Sequence, residues 1–413
     1  MKLACVVHRY GADIAGGSEG HCRLIAERLA RTHDVTVITT TAHDHVTWAN
    51  HYPPGETRVG PVRVIRFPVV RPRDLHRFRD ISDRVLTNRA NASEAEQWFR
   101  ENGPQAPALV TFLETHGRAF DRVLFWAFRY YTSYFGVPLV RDRAVLIPTA
   151  EEDPLIRVDS LTPFFALPRG YLFLTPEEEA LIGDRAAPDT PRRVIGCGVD
   201  PPRPADDTRL AAAGVTGSYV LYLGRIDPNK GCDRLVGHFL QYVDRTPPAN
   251  RAERATPVNL APAKPVLVLA GPANMPIPEH PLIRRLGYVD EATRDALLAN
   301  ARVLLIPSPY ESLSMVLLEA WNRGTPALVN ARCAVLKGQV LRADGGLYYQ
   351  SALEFAAALD YLLDHADVAR RLGAQGQAYV DREYRWPTVI QKIESLLEEI
   401  APRSSLTASS SET

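Results

Sequence analysis

The sequence predicts an α/β fold built as two domains, each around a mostly parallel sheet. Short apolar runs that read as strands alternate with helix-like runs along the whole chain, which is the pattern of parallel α/β sheets. At 413 residues the chain is too long for one ordinary core, so two domains of roughly 180–200 residues are expected. The alternation breaks around Gly183–Pro191 and resumes beyond the Pro-rich piece Pro201–Pro204, which reads as a linker.

In the first domain, residues 1–190, the strand Leu3–Val7 leads through a Gly-containing loop to an amphipathic helix, about Glu19–Thr32. Strands follow at Val35–Thr40, Val62–Phe67, Arg122–Trp126, Ala144–Pro148 and Tyr171–Leu174. Thr175-Pro176-Glu177-Glu178-Glu179 is a helix start, with a Thr cap, Pro at the first position and acids in the first turn. Arg192–Ile195 and Gly196–Asp200 read as the passage into the second domain, residues 196–385. Its strands are Tyr219–Leu223, Val266–Ala270, Arg284–Tyr288, Val303–Ile306 and Pro326–Val329. Pro247–Pro265, rich in Pro and Ala, reads as an inserted surface loop. A last helix follows Trp386-Pro387, and the Ser/Thr-rich tail 404–413 lacks any period and is expected to be disordered.

Two segments carry chemistry. Pro307-Ser308-Pro309-Tyr310-Glu311 ends a strand, and the run from Ser312 to Glu319 enters an apolar helix closed by Gly324. Glu311 is thus expected in the loop at the strand's carboxyl end and Glu319 inside the helix, both toward the crevice where open α/β sheets bind ligands. Ser312 or Ser314 can cap that helix. A Glu within so apolar a helix is costly to bury without a partner. Upstream, Tyr219–Leu223 runs into Gly224-Arg225-Ile226-Asp227-Pro228-Asn229-Lys230-Gly231. A guanidinium fork, a mobile ammonium and a helix start on one turn suit a polyanion. Two cations for a diphosphate and two carboxylates for hydroxyls suggest a nucleotide-sugar site.

With these residues in place the chain resembles the GT-B glycosyltransferases, specifically the large retaining family 4, from residue 1 to about residue 395. That family carries a Gly-Arg…Lys-Gly turn and two Glu eight residues apart, and its Gly-Gly-x-Glu loop is matched by Gly16-Gly17-Ser18-Glu19. The resemblance implies two Rossmann-like domains facing each other across a cleft, with a C-terminal helix, about 386–400, crossing back onto the first. It implies a nucleotide-diphosphate sugar as donor, held by Arg225, Lys230 and Gly224, with Glu311 on the donor sugar and Glu319 on the ribose. Backbone N–H groups of Ser312, Leu313, Ser314 and Met315 are implied to serve sugar and phosphate. Gly16 and Gly17 are implied to lie beside donor phosphates and to help form the acceptor site. Relatives often have Gly-Phe-Gly after the first Glu, where this chain has Ser-Leu-Ser. The family presents a His after a first-domain strand; Pro148–Pro154 puts Glu151 there, and this carboxylate is the expected counterpart on the reacting sugar.

The composition narrows the partners. Lys plus Arg and Asp plus Glu number 48 each, which argues against general nucleic-acid binding. Five scattered cysteines without a C-x-x-C pair read as free thiols in a reducing compartment. The apolar run Leu3–Val7 is too short for a signal peptide or a membrane span, so a cytoplasmic protein is expected. Arginines 63, 66, 71, 73, 77, 79, 84 and 89 crowd one segment. They read as a solvated face or as a contact for an anionic acceptor or the inner membrane surface. There is no dinucleotide or P-loop fingerprint and no D-x-D, so no metal and no cofactor is expected. The expected activity is sugar transfer to a sugar-containing or lipid-linked acceptor. The alternatives are a nucleotide-sugar 2-epimerase and an idle nucleotide-sugar-binding protein.

Overall fold

A computed structural model describes residues 1–245 and 264–400 apart from Ala15, Asn88 and Ser160. The inserted loop read at 247–265, but for its last two residues, and the tail 404–413 lie outside the described residues. The chain divides into two compact units: Met1–Gly198 joined by the residues from Pro387 onward, and Val199–Trp386.

The first unit is built on eight strands: β1 (Lys2–Val6), β2 (Asp34–Thr40), β3 (Gly55–Val59), β4 (Val62–Phe67), β5 (Arg122–Trp126), β6 (Ala144–Ile147), β7 (Gly170–Phe173) and β8 (Arg192–Val194). Their order is β3-β4-β2-β1-β5-β6-β7-β8, and only the β3–β4 pair is antiparallel. The order reverses between β1 and β5, so the crevice outside their carboxyl ends is this sheet's switch point. β5 and β6 are buried along their whole length, which explains their unbroken apolar runs. Two strands escape the sequence reading because they are edges. The solvent-facing β3 has no apolar pattern, and Arg192-Arg193-Val194, read as a passage, closes the other edge with charge. The final helix, Trp386–Glu399, packs on this unit. Arg122 Nε donates to the Leu397 carbonyl at 3.2 Å, and His33 Nε2 lies 3.1 Å from Glu394.

The second unit has six parallel strands, β9 (Tyr219–Leu223), β10 (Val266–Ala270), β11 (Ile283–Gly287), β12 (Leu304–Ile306), β13 (Ala327–Asn330) and β14 (Gly346–Tyr349). They lie in the order β11-β10-β9-β12-β13-β14. In chain order this is 3-2-1-4-5-6, the dinucleotide-fold arrangement, with its switch point between β9 and β12. β11 starts and ends one residue earlier than the apolar pattern indicates. β14 goes unrecognised in the sequence because Gly345-Gly346 reads as a turn. A Cβ on Gly346 would strike the backbone of Ala327, so the glycine lets β14 close on β13.

The helix that carries Glu319, Met315–Asn322, is fixed by the same economy of space. Its Leu317, Leu318, Ala320 and Trp321 are fully buried, and Trp321 Nε1 donates to the Gly345 carbonyl at 2.7 Å. The long helix Ala366–Glu383 lies against it through two glycines. A Cβ on Gly373 would strike the Gly324 carbonyl, and one on Gly376 would enter the Trp321 ring. Backbone cannot yield as a flexible side chain can. Gly373→Ala is therefore expected to destabilise the protein by about 1–3 kcal/mol, the usual penalty of overpacking. The measurement is the urea midpoint at unchanged slope; an unshifted midpoint would refute this packing.

Candidate functional site

In the second unit the groups singled out in the sequence gather at the β9/β12 switch point. The loop after β9 leaves the sheet at Gly224, whose φ of 141° suits glycine alone. It then zips to the loop after β10: Ile226 N–H donates to the Pro272 carbonyl and Asn274 N–H to the Ile226 carbonyl, each at 2.8 Å. Asp227 caps the short turn Pro228–Lys230 and accepts from Asn274 Nδ2 at 3.2 Å. Arg225 Nε stands 3.5 Å from Asp227, and 40% of the Arg225 side chain is exposed. Gly231 opens the helix Cys232–Asp244 with a left-handed φ of 73°, and a Cβ there would strike the Pro307 carbonyl. That close approach brings the β9 loop onto the β12 loop, and Lys230 Nζ meets Glu311 Oε1 at 2.9 Å. A cation and a carboxylate chosen in the sequence for different halves of one ligand thus touch each other.

Glu319 has a partner that sequence reading missed. Arg294 Nη1, on the helix Glu291–Asn300, lies 3.4 Å from Glu319 Oε1. Burial raises the Glu319 pKa, Arg294 pulls it down, and Asp295 and Glu291 push with burial, leaving it above the usual carboxylate value. Ser314 is the N-cap residue of the Glu319 helix, but its side chain makes no capping bond. Its N–H instead goes to the buried Gln339 side chain at 3.3 Å. The backbone donors expected from Ser312, Leu313, Ser314 and Met315 are reduced by that one, and the capping role read for Ser314 is corrected.

In the first unit, Gly16 is the N-cap of the helix Gly17–Leu29, which starts two residues before the expected position. Its φ is −170°, ordinary extended backbone. What excludes a side chain at Gly16 is Glu19, whose carboxylate occupies the place of a Cβ. Gly17 has open space around it. The buried Glu19 carboxylate accepts from Arg9 Nε and lies against His8 Nε2, both at 2.9 Å. Burial opposes its ionisation, but His8 and Arg9 outweigh burial and hold it well below the usual range. The His8 ring stacks on Tyr130 at 3.7 Å. This cluster ties β1's loop to the helix and to the loop after β5, and only Glu19 of it carried a sequence signal.

In the acidic loop after β6 two carboxylates share Arg129 and the third pairs with Arg157. Asp153 caps the turn Pro154–Arg157 and receives Arg129 Nη2 at 2.8 Å. Glu152 lies 3.3 Å from Arg157 and is exposed. Glu151 has a more distant approach to Arg129, 3.8 Å, with 29% of its side chain exposed. The Arg-rich segment divides: Arg63, Arg77, Arg79, Arg84 and Arg89 are exposed, as a solvated face requires, while others are bound into the fold. Arg66 donates to the Tyr10 carbonyl, Arg73 to Asn102, Arg63 to Glu56 and Arg71 to Glu101. Arg66 is buried. Among the described residues no helix is long and apolar enough to cross a membrane, and none of the five buried cysteines is in a disulfide.

Residues 217–365 match the family model described as Glycosyl transferases group 1, a stretch that contains Arg225, Lys230, Glu311 and Glu319. Over 191 residues the chain is 30% identical to the D-inositol 3-phosphate glycosyltransferase of Corynebacterium aurimucosum, covering 43% of this chain and 42% of that protein. Over 112 residues it is 34% identical to the MMP alpha-(1->4)-mannosyltransferase of Mycolicibacterium hassiacum, covering 26% and 27%. The chain spans less than half the length of these curated relatives. Solved structures align over nearly the whole chain. Sucrose-phosphate synthase from Thermosynechococcus elongatus has a TM-score of 0.70 at 18% identity, covering 97% and 98% of the two chains. Anabaena HepE in complex with UDP-glucose has 0.65 at 14%, covering 97% and 100%. The trehalose-phosphate synthase of Burkholderia vietnamiensis has 0.67 at 14%, covering 98% of each. At these identities the likeness establishes the fold: two α/β, Rossmann-like domains of the GT-B kind.

Proposed function

We propose that the protein is a glycosyltransferase that moves a sugar from a nucleotide-diphosphate sugar to a glycan, lipid-linked or small-molecule acceptor, keeping the anomeric configuration. The observation that carries this reading is the meeting of Lys230 and Glu311 at the β9/β12 switch point. The group 1 match over those residues supports it. The relatives named above are transferases and synthases by name, which favours transfer over epimerisation. HepE's complex with UDP-glucose gives UDP-sugars first place among candidate donors.

In this reading the second unit binds the donor. Arg225 and Lys230 hold the diphosphate that becomes the leaving group, and fixed cations there lower the barrier as charge accumulates. Glu311 takes donor-sugar hydroxyls and Glu319 the ribose, with Gly224 and the start of the Met315 helix around the phosphates. The first unit supplies Gly16 and Gly17 toward the acceptor and Glu151 toward the reacting sugar. The acceptor hydroxyl attacks on the leaving-group face and gives its proton to the donor phosphate. The protein's work is position and electrostatics, without a metal. The protein is placed in the cytoplasm, and the arginines of segment 63–89 that remain at the surface are left to meet a membrane-borne acceptor.

The first test is turnover. Lys230→Ala and Arg225→Ala are each expected to lower kcat/KM by about 100- to 1,000-fold, some 3–4 kcal/mol. Thermal stability should change little. Near-normal rates in both, with the donor that best stabilises the wild type among UDP, GDP, ADP and TDP sugars, would overturn the diphosphate assignment.

The second test separates the carboxylates. The diphosphate has to draw Lys230 from Glu311, so Glu311→Gln should leave UDP binding equal or tighter while weakening the intact donor about tenfold, or 1.4 kcal/mol. Glu319→Gln should weaken both ligands alike. The raised Glu319 pKa adds a pH sign. Its carboxylate is lost as pH falls through a value above the usual range, so wild-type UDP affinity should drop there while Glu319→Gln stays flat. Calorimetric titration across pH reads all three, and equal losses for both ligands in both variants would contradict this division.

The third test is metal removal. With two cations already facing the diphosphate, transfer should survive excess EDTA unchanged. Strict dependence on added magnesium or manganese would turn attention to Glu151, Glu152 and Asp153 as ligands.

A further inference from the structure

Glu178 sits in the first turn of the helix Pro176–Ile182 and is wholly buried. The sequence marks it only as one of three acids suited to a helix start. Its neighbours Glu177 and Glu179 fill that role, and neither is buried. The Glu178 carboxylate instead bridges two loops. Oε2 accepts the Leu174 N–H at 2.5 Å, at the end of β7, and Oε1 accepts the Ala150 N–H at 2.6 Å, beyond the end of β6. Among the described residues it has no cationic partner. A buried carboxyl without a cation is costly to ionise, and here both of its oxygens are committed to backbone donors.

We propose that Glu178 is a positioning residue for Glu151, acting through the backbone of the loop after β6. Ala150 directly precedes Glu151 and follows Thr149, a β-branched residue held at a left-handed φ of 48°. L-residues are rarely found there, so the turn persists only where its surroundings hold it. Glu178 supplies one hold. Phe128 N–H to the Pro148 carbonyl at 3.1 Å and Arg129 on Asp153 supply the others. Together they fix the loop on both sides of Glu151 and leave its carboxylate partly exposed. Burial, with the charge of Glu151 adding, pushes the Glu178 carboxyl up to about 8. That proximity is what a clamp one residue away requires.

The inference rests on the proposed role of Glu151, and the experiment separates the two. Glu178→Gln is nearly isosteric, but its amide NH2 faces one of the two N–H donors. Hydrogen exchange at the Ala150 amide, read in the folded variant at matched stability, should be at least tenfold faster than in the wild type. Nucleotide release from UDP-glucose, or from the best donor of the screen, should fall at least tenfold in kcat for both Glu178→Gln and Glu151→Ala. The double variant should be no slower than Glu151→Ala alone, since both act on one group. Affinity for UDP should not move. Unchanged exchange at Ala150, or losses that multiply in the double variant, would overturn the proposal. If the wild type turned over no donor, the proposed function would fall, and the exchange result would still decide whether Glu178 clamps the loop. Glu178→Ala is the second variant if the glutamine does not fold, read by the same exchange and coupling.

Discussion

The second unit depends on how closely two loops approach at the carboxyl edge of its sheet. Gly231 lies where any side chain would collide with the Pro307 carbonyl. Only because that position is bare can the turn after β9 lie against the loop after β12 and bring Lys230 to Glu311. The contact holds a positive and a negative group in one place, the ammonium half-buried and the carboxylate more so. In the proposed reading this pair is parted by a ligand that offers each half a better partner: phosphate oxygens to the ammonium and hydroxyls to the carboxylate.

Carboxyl groups hold loops in the first unit as well. Glu19 and Glu178, in the first turns of their helices, and Asp153, the cap of a turn, are each anchored differently. Glu19 is ionised beside Arg9 and His8. Asp153 is shared between Arg129 and a helix cap. Glu178 has backbone N–H donors alone. Fixing loops by buried carboxylates is expensive in desolvation and yields definite geometry in return. Glu151, by contrast, is held loosely by Arg129 and stays partly in solvent.

Much of this was legible in the chain. Alternating apolar and amphipathic runs located eleven of the strands, and the Gly224–Gly231 and Glu311–Glu319 segments stood out by residue type and spacing. Strand periodicity depends on local burial, and the central strands are buried on both faces. The edges β3 and β8 were illegible because one is solvated and the other charged. β14 was hidden by glycines that serve packing while resembling a turn.

What the sequence by itself determined was the order of elements and the chemistry available on them: two cations after β9, two carboxylates around β12, and an acidic loop after β6 where a His was expected. It could do so because caps, turns and apolar periods are local properties. Only the tertiary structure decided which of these groups meet. Lys230 pairs with Glu311 across 81 residues and Glu178 holds Ala150 across 28, while Arg294 reaches Glu319 from a neighbouring helix. It also showed that Gly16 is bare to admit a carboxylate and not to free a torsion. Pairings over such separations are set by strand order and close packing, and neither leaves a mark in any short stretch of chain.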